Sequence, residues 1–272
     1  MRIALVGGGF MGESFVAGVL SAEVVTAADV CVAEIQAHRR EHLARTYNVA
    51  VMDSAAAAVA SADVVLFAVK PQEFEPAVSD VIHALDDQIV ISCMAGVTMA
   101  TLASHLKVPK IVRVMPNTPA SVREAVSVWT CTEALGPADL KTTATLLEAL
   151  GQQIFVEDEK YLDMATALSA SGPGFIFLLI EAFIDAGVHI GFRREVAEKL
   201  AYQTFLGSVK YAQATGLHPA VLRNQVTSPG GTTAEGLLIM ERMGVRAAIV
   251  EAVEAAWRKS IELGSGGSRS SS

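Results

Sequence analysis

The opening of this chain constrains its fold more than any other stretch. A short apolar run over residues 2–7 (RIALVG) passes straight into Gly7, Gly8, Gly9, Phe10, Met11 and Gly12, and a helical pattern follows. Gly7, Gly9 and Gly12 hold the spacing G-x-G-x-x-G. In a strand–turn–helix unit the first glycine permits the tight turn, the second lets the backbone approach a pyrophosphate, and the third lets helix and strand pack closely. The helix N-terminus adds free N–H groups and a partial positive charge facing the phosphates. The motif alone is weak. Between a strand and a helix, with an acid closing the next strand, it predicts dinucleotide binding.

The same alternation continues to about residue 158. Residues 30–34, 64–69, 89–93, 110–115 and 153–156 are short, continuous, β-branched-rich runs, the pattern of strands buried on both faces of a parallel sheet. Helical stretches at 36–47, 76–85 and 138–150 lie between them, and a weaker run at 126–130 extends the sheet. This predicts an α/β, doubly wound, mostly parallel domain over 1–158. From 159 the strands stop and an all-α domain runs to 264. It contains a nearly all-apolar helix over 175–188, a helix over 193–214, and one over 245–263 with a single apolar stripe. A helix that is apolar all round needs partners on every side, so a homodimer through the helical half is expected. The apolar run 175–190 carries Glu181 and Asp185 and reads as a buried helix too short for a bilayer. The serine- and glycine-rich tail 265–272 reads as flexible.

Composition narrows the class further. A net charge of −8 without a Lys/Arg run disfavours nucleic acid. No signal or membrane segment is expected. Three scattered cysteines fit a reducing cytoplasm, and neither they nor the histidines have metal-ligand spacing, so no metal is expected.

Glu34 closes the second strand, 34 − 12 = 22 residues past the last glycine. A carboxylate there accepts ribose hydroxyls of NADH and repels a 2′-phosphate. Arg39 and Arg40 follow within reach of such a phosphate, so NADPH and NADH both stay open. Lys70-Pro71 and the loop Met115-Pro116-Asn117-Thr118-Pro119 end strands at the sheet edge where open α/β folds bind ligands; Asn117 can present an amide there. Ser228-Pro229-Gly230-Gly231-Thr232-Thr233 precedes a helix and reads either as a carboxylate-binding turn or as an ordinary helix cap. No Ser-His-Asp or Cys-His arrangement stands out.

Together these loops closely resemble the pyrroline-5-carboxylate reductases. The matching blocks are VGGGFMG from Val6, FAVKPQ from Phe67, SCMAGVT from Ser92, RVMPNTP from Arg113, ALSASGPGF from Ala167 and VTSPGGTT from Val226, covering nearly all of the chain except its tail. The resemblance implies a Rossmann domain joined to a helical domain that interleaves in a homodimer, with larger rings of dimers in some members. It implies NADPH- or NADH-dependent reduction of 1-pyrroline-5-carboxylate to L-proline. By position, Val6 to Met11 looks like the pyrophosphate loop. Ala68, Val69 and Lys70 look like further cofactor contacts, and Cys93, Met94 and Ala95 would lie beside the nicotinamide. Glu159 resembles an acid lining the proline site, with a helix-start acid as the other reading. Ser171 falls in a serine–glycine turn near the active site. Gly230, Gly231, Thr232 and Thr233 match the substrate loop, Thr233 addressing the imine nitrogen. Ala55, Ala170, Gly174-Phe175 and Glu34 depart from common family residues.

Overall fold

The computed structural model describes residues 1–264, which divide into two compact units: Met1–Ser171 together with the residues from Ala256 onward, and Gly172–Ala255. The tail 265–272 lies outside the described residues.

In the first unit, β1 (Ile3–Val6), α1 (Phe10–Ser21), β2 (Val30–Ala33), α2 (Ala37–Tyr47), β3 (Ala50–Met52), α3 (Ala55–Val59), β4 (Val64–Phe67), α4 (Phe74–Val81), β5 (Ile89–Ser92), α5 (Met99–Leu106) and β6 (Ile111–Met115) alternate along the chain. β7 (Ala125–Cys131), α6 (Pro137–Glu148) and β8 (Gly151–Phe155) complete one eight-stranded sheet of order β3-β2-β1-β4-β5-β6-β7-β8. β1, β2, β3, β4, β5 and β6 are parallel. β7 runs antiparallel to β6, and β8 runs parallel to β7. The reason lies in connection length. A parallel crossover needs a dozen or more residues, which α6 supplies between β7 and β8 but the short segment 116–124 does not supply between β6 and β7.

Every residue of β1, β4, β5 and β6 is buried. Their side chains alternate between two cores: Ile3 and Leu5 join Phe15, Val19 and Leu146 on one face, while Ala4 and Val6 join Val59, Phe74 and Leu102 on the other. Such two-sided burial is what the unbroken apolar runs in the sequence require. β3 is the strand that sequence patterning misses, being three residues long and mostly exposed.

After β8, α7 (Lys160–Ala165) packs on β6 and β7, so the first unit extends past the last strand. A π-helical turn over Thr166–Ala170 joins it to α8 (Gly172–His189). Then come α9 (Arg194–Thr215), α10 (Pro219–Gln225), α11 (Thr232–Arg242) and α12 (Val245–Gly264). One expectation for the apolar run is corrected here: α7, the π-helical turn and α8 follow one another over Lys160–His189, 30 residues that by length and composition alone could cross a membrane. Within the chain α8 is largely uncovered, with Ile184 its one buried residue among those described.

The core of the helical unit is correspondingly small. α8 and α9 meet through Ile184, Ala197 and Ala201, with a Phe183–Phe205 edge contact at 5.1 Å between ring centroids. Gly187 lets the two helices close up, since a Cβ there would stand 2.9 Å from that of Ala197. Outside this contact Phe177 (62% exposed), Leu178 (65%) and Met243 (77%) are among many large apolar side chains left uncovered. An apolar surface of that extent marks an interaction face. Light scattering at micromolar concentration is therefore expected to show a dimer or a multiple of one, and Leu178→Glu to shift the mass toward monomer. A wild-type chain that stays monomeric and well folded would overturn this.

Candidate functional site

A cleft of about 520 Å³ opens at the carboxyl ends of β1, β2 and β4. Strand order reverses between β1 and β4, since β2 lies on one side of β1 and β4 on the other. That switch point is where open α/β sheets bind their ligands. Val6, Gly7, Gly9, Glu34, Ala68, Val69 and Lys70 all contribute to its walls.

The three glycines do separate jobs. Gly7 has φ +103°, and a Cβ there would lie 2.9 Å from the Ala68 carbonyl carbon and oxygen. At Gly12 a Cβ would collide with the Gly7 carbonyl oxygen, so α1 can pack onto the turn only without one. Gly9 has open space in front of it, with nothing within 4 Å of a built Cβ, and it is the N-cap of α1. The residues present thus fit a bound dinucleotide pyrophosphate at the α1 N-terminus. Phe10 is exposed at the start of α1, while Met11 turns away to a small hollow with Phe15, Leu66 and Cys93.

Around this turn the charged residues are already engaged. Glu34 Oε2 accepts the Gly8 N–H at 2.8 Å and its Oε1 accepts the Gln36 N–H at 2.8 Å. Arg40 Nη1 donates to the Glu34 carbonyl at 2.7 Å and the Ile35 carbonyl at 2.9 Å. Arg39 donates to the Gly8 carbonyl through both Nε (3.1 Å) and Nη2 (2.5 Å). Neither arginine stands free, although the sequence puts both near a 2′-phosphate.

At the end of β5, Cys93 donates its N–H to the Phe67 carbonyl at 3.1 Å and its thiol to the same oxygen at 3.3 Å. Burial pushes the thiol up to about 12, so it stays protonated and unreactive at neutral pH. Ala95 is exposed, but the Met94 side chain points into the core, so Met94 can offer a ligand only its backbone. Gly96, at φ +74°, lies against Leu263 near the end of α12, where a Cβ would meet Leu263 Cβ at 3.2 Å.

Glu159 takes an interior role. Its Oε1 accepts from Arg113 Nη1 at 2.6 Å and from the Met99 N–H, at the start of α5, at 2.7 Å. Arg113 is 2% exposed on the all-buried β6, and its Nε has no partner among the described residues. Removing Glu159, itself one-third exposed, would strand the buried Arg113 charge. Glu159 thus ties β6, the start of α7 and the loop after β5 together. Asn117 is likewise turned inward: its Oδ1 accepts the Val126 N–H at 3.1 Å and its Nδ2 faces the Ser169 carbonyl at 3.3 Å. Ser171 follows the π turn and donates its N–H to the Thr166 carbonyl at 2.9 Å.

In the helical unit, Gly230 takes φ +68° and Gly231 is the N-cap of α11. A Cβ on Gly231 would stand 2.4 Å from Ser228 Oγ and 3.1 Å from the Ser228 carbonyl oxygen, so a larger residue there would push the serine side chain aside. The Gly231 N–H already donates to the Ser228 carbonyl at 3.0 Å. The donors left to face an anion are the first-turn N–H groups of Thr232, Thr233 and Ala234. No side-chain cap bond is made at this end, so Thr233 is a first-turn residue and not a helix cap.

Sequence reasoning overlooks Asp53, Gln72 and Asp80 on the cleft wall. Asp80 caps α3, accepting the Ala55 N–H at 2.7 Å. Recognising β3 would have brought Asp53 to the cleft, since it directly follows that strand.

A doubly wound unit with a phosphate turn at its switch point, joined to a helical unit, defines a nucleotide-dependent oxidoreductase architecture. Residues 2–96 match the family model described as NADP oxidoreductase coenzyme F420-dependent, and residues 159–263 match that for pyrroline-5-carboxylate reductase dimerisation. A pyrroline-5-carboxylate reductase of Synechocystis sp. is 36% identical over 97% of this chain and 98% of its own length; one from Arabidopsis thaliana is 39% identical over 96% and 95%. The crystal structure of Plasmodium falciparum pyrroline carboxylate reductase with NADP bound superposes with a TM-score of 0.88 at 28% identity, covering 97% of this chain and 98% of that one. The chain belongs to the pyrroline-5-carboxylate reductase family, and its helical half is a self-association domain.

If Glu34 accepts the cofactor ribose, Glu34→Ser is expected to lower kcat/KM with NADH by about tenfold, because it removes that acceptor and releases two backbone N–H groups. NADPH should lose less, so the ratio moves toward NADPH. A wild type already preferring NADPH by roughly tenfold, worth about 1.4 kcal/mol, would contradict the reading of Glu34.

Proposed function

We infer that this chain reduces the C=N bond of 1-pyrroline-5-carboxylate to give L-proline, the last step of proline biosynthesis, using NADPH or NADH. The observation that carries this is the full-length match at 36–39% identity to reductases of that name, spanning both compact units. The cofactor supplies the hydride when bound at the cleft.

The chain's own residues have a positioning task. Thr232 and Thr233 present first-turn N–H groups to the substrate carboxylate, while Gly230 and Gly231 shape the turn that exposes them. The Thr233 hydroxyl accepts from the N–H of the protonated imine, orients the ring and donates back once the nitrogen becomes an amine. A threonine hydroxyl is far too weak an acid to protonate the imine alone, and the cyclic imine can arrive protonated from water. No histidine or lysine is then required for proton transfer. Glu159 and Asn117 act by holding the loops after β5 and β6, and Ser171 by setting the turn into α8.

The exposed apolar faces of α8, α9 and α11 are covered by a second copy, and dimers assemble into a larger ring in the cytoplasm. With those faces taken and a net charge of −8, neither a membrane nor a nucleic acid is a partner.

Purified protein should oxidise reduced nicotinamide only when the five-membered cyclic imino acid is present, forming proline. No proline with either cofactor would sink the assignment, and turnover of other cyclic imines or keto acids alone would redirect it. Thr233→Ala is expected to lower kcat/KM by roughly 10–150-fold, the worth of one hydrogen bond to a charged group. Its melting temperature should hold, because Thr233 makes no cap bond. Full activity with a lowered melting point would leave Thr233 a structural residue.

A further inference from the structure

We propose that Arg39 and Glu13 form a clamp that aims the Gly9 N–H at the cofactor pyrophosphate, and that Arg39 is a positioning residue and not a ligand for a 2′-phosphate. The proposal rests on the cleft being a dinucleotide site.

The Gly8 residue is held from both sides. Its N–H donates to Glu34 Oε2 at 2.8 Å, and its carbonyl receives the Nε and Nη2 of Arg39. In a planar trans peptide the carbonyl and the following N–H point in opposite directions. Fixing the Gly8 carbonyl on Arg39 therefore turns the Gly9 N–H the other way, away from the Arg39 side of the turn. The space beside Gly9 is open, and Gly9 is both a wall of the cleft and the N-cap of α1.

Arg39 is itself locked. Glu13, in the first turn of α1, accepts its Nη2 at 2.6 Å through Oε2. The other oxygen of Glu13 meets His42 Nε2 at 2.7 Å and accepts the Tyr47 hydroxyl at 3.1 Å. Burial alone would raise the Glu13 carboxyl, but the bonds from Arg39, His42 and Tyr47 outweigh it and hold the group below the usual range. Glu13 is thus an anion at the helix end that receives the pyrophosphate. Standing alone there it would repel the ligand, and the Arg39 guanidinium neutralises it. The clamp sets geometry and removes a like-charge penalty together.

Binding measured by fluorescence or calorimetry decides the matter without turnover. Arg39→Met is expected to weaken NADH, NADPH and ADP-ribose by one common factor of about tenfold or more. Arg39→Lys, which keeps the charge but loses the fork, should show the same equal pattern at smaller size. Glu13→Gln should weaken all three less than Arg39→Met does. Adding it to Arg39→Met should recover part of that loss, because the Glu13 anion left without its partner is removed. Loss confined to NADPH would make Arg39 a 2′-phosphate ligand and overturn the proposal. Unchanged affinities would overturn it too, whether or not the melting temperature falls. Failure of the wild type to bind ADP-ribose would instead remove the dinucleotide reading beneath it.

Discussion

The helices from Gly172 onward cannot bury their apolar faces within one chain, and the proposed chemistry depends on that shortfall being met. One small contact between α8 and α9 is the core of this unit, while Phe177, Leu178, Val226, Ile239 and Met243 stand exposed. Ordering a residue costs on the order of 1–2 kcal/mol in backbone entropy, and a core of three buried residues offsets little of it. A second copy would supply the missing surface, and assembly would then be a condition of folding for this half. The Ser228–Thr233 turn, the proposed substrate loop, is carried on the same half, so in that reading substrate-site geometry and self-association are one property.

The α/β half was legible because two-sided burial writes itself into the sequence as unbroken apolar runs. The strands read from 2–7, 64–69, 89–93 and 110–115 became β1, β4, β5 and β6, each buried throughout. β3 was not legible, because Ala50–Met52 lies at the sheet edge, where burial does not demand an apolar run. Nor was the direction of β7: periodicity carries no sign, and only the shortness of the 116–124 connection encodes it. The run at 175–190 reads as a helix that needs partners beyond its own chain, and within the chain Ile184 is the one buried residue of α8 among those described.

In the site, glycines were the most readable residues and polar side chains the least. A glycine states a steric demand that only close backbone can explain, as at Gly7 and Gly12. A polar side chain states only that it needs a partner, and sequence cannot say which. Glu34, Arg39, Asn117 and Glu159 each spend hydrogen bonds on backbone or on a buried neighbour. Those contacts span 26 residues for Glu34 and 60 for Glu159, separations over which no local pattern operates.

In the proposed reaction two anions must be held, the cofactor pyrophosphate and the substrate carboxylate, and the same device serves both: a glycine turn feeding a helix N-terminus. The two turns are not equally supported. At α1 the turn is gripped by Glu34 and Arg39, with β1 and β4 buried beneath it. At α11 it is held by the Ser228 carbonyl, on a helix with no buried residue of its own among those described. Hydride transfer tolerates little error in distance, since a misplacement near 1 Å can cost on the order of a hundredfold. The rigidity absent around α11 must therefore come from whatever packs on its open faces, and a second protomer at that surface would tighten the reaction geometry as well as the fold.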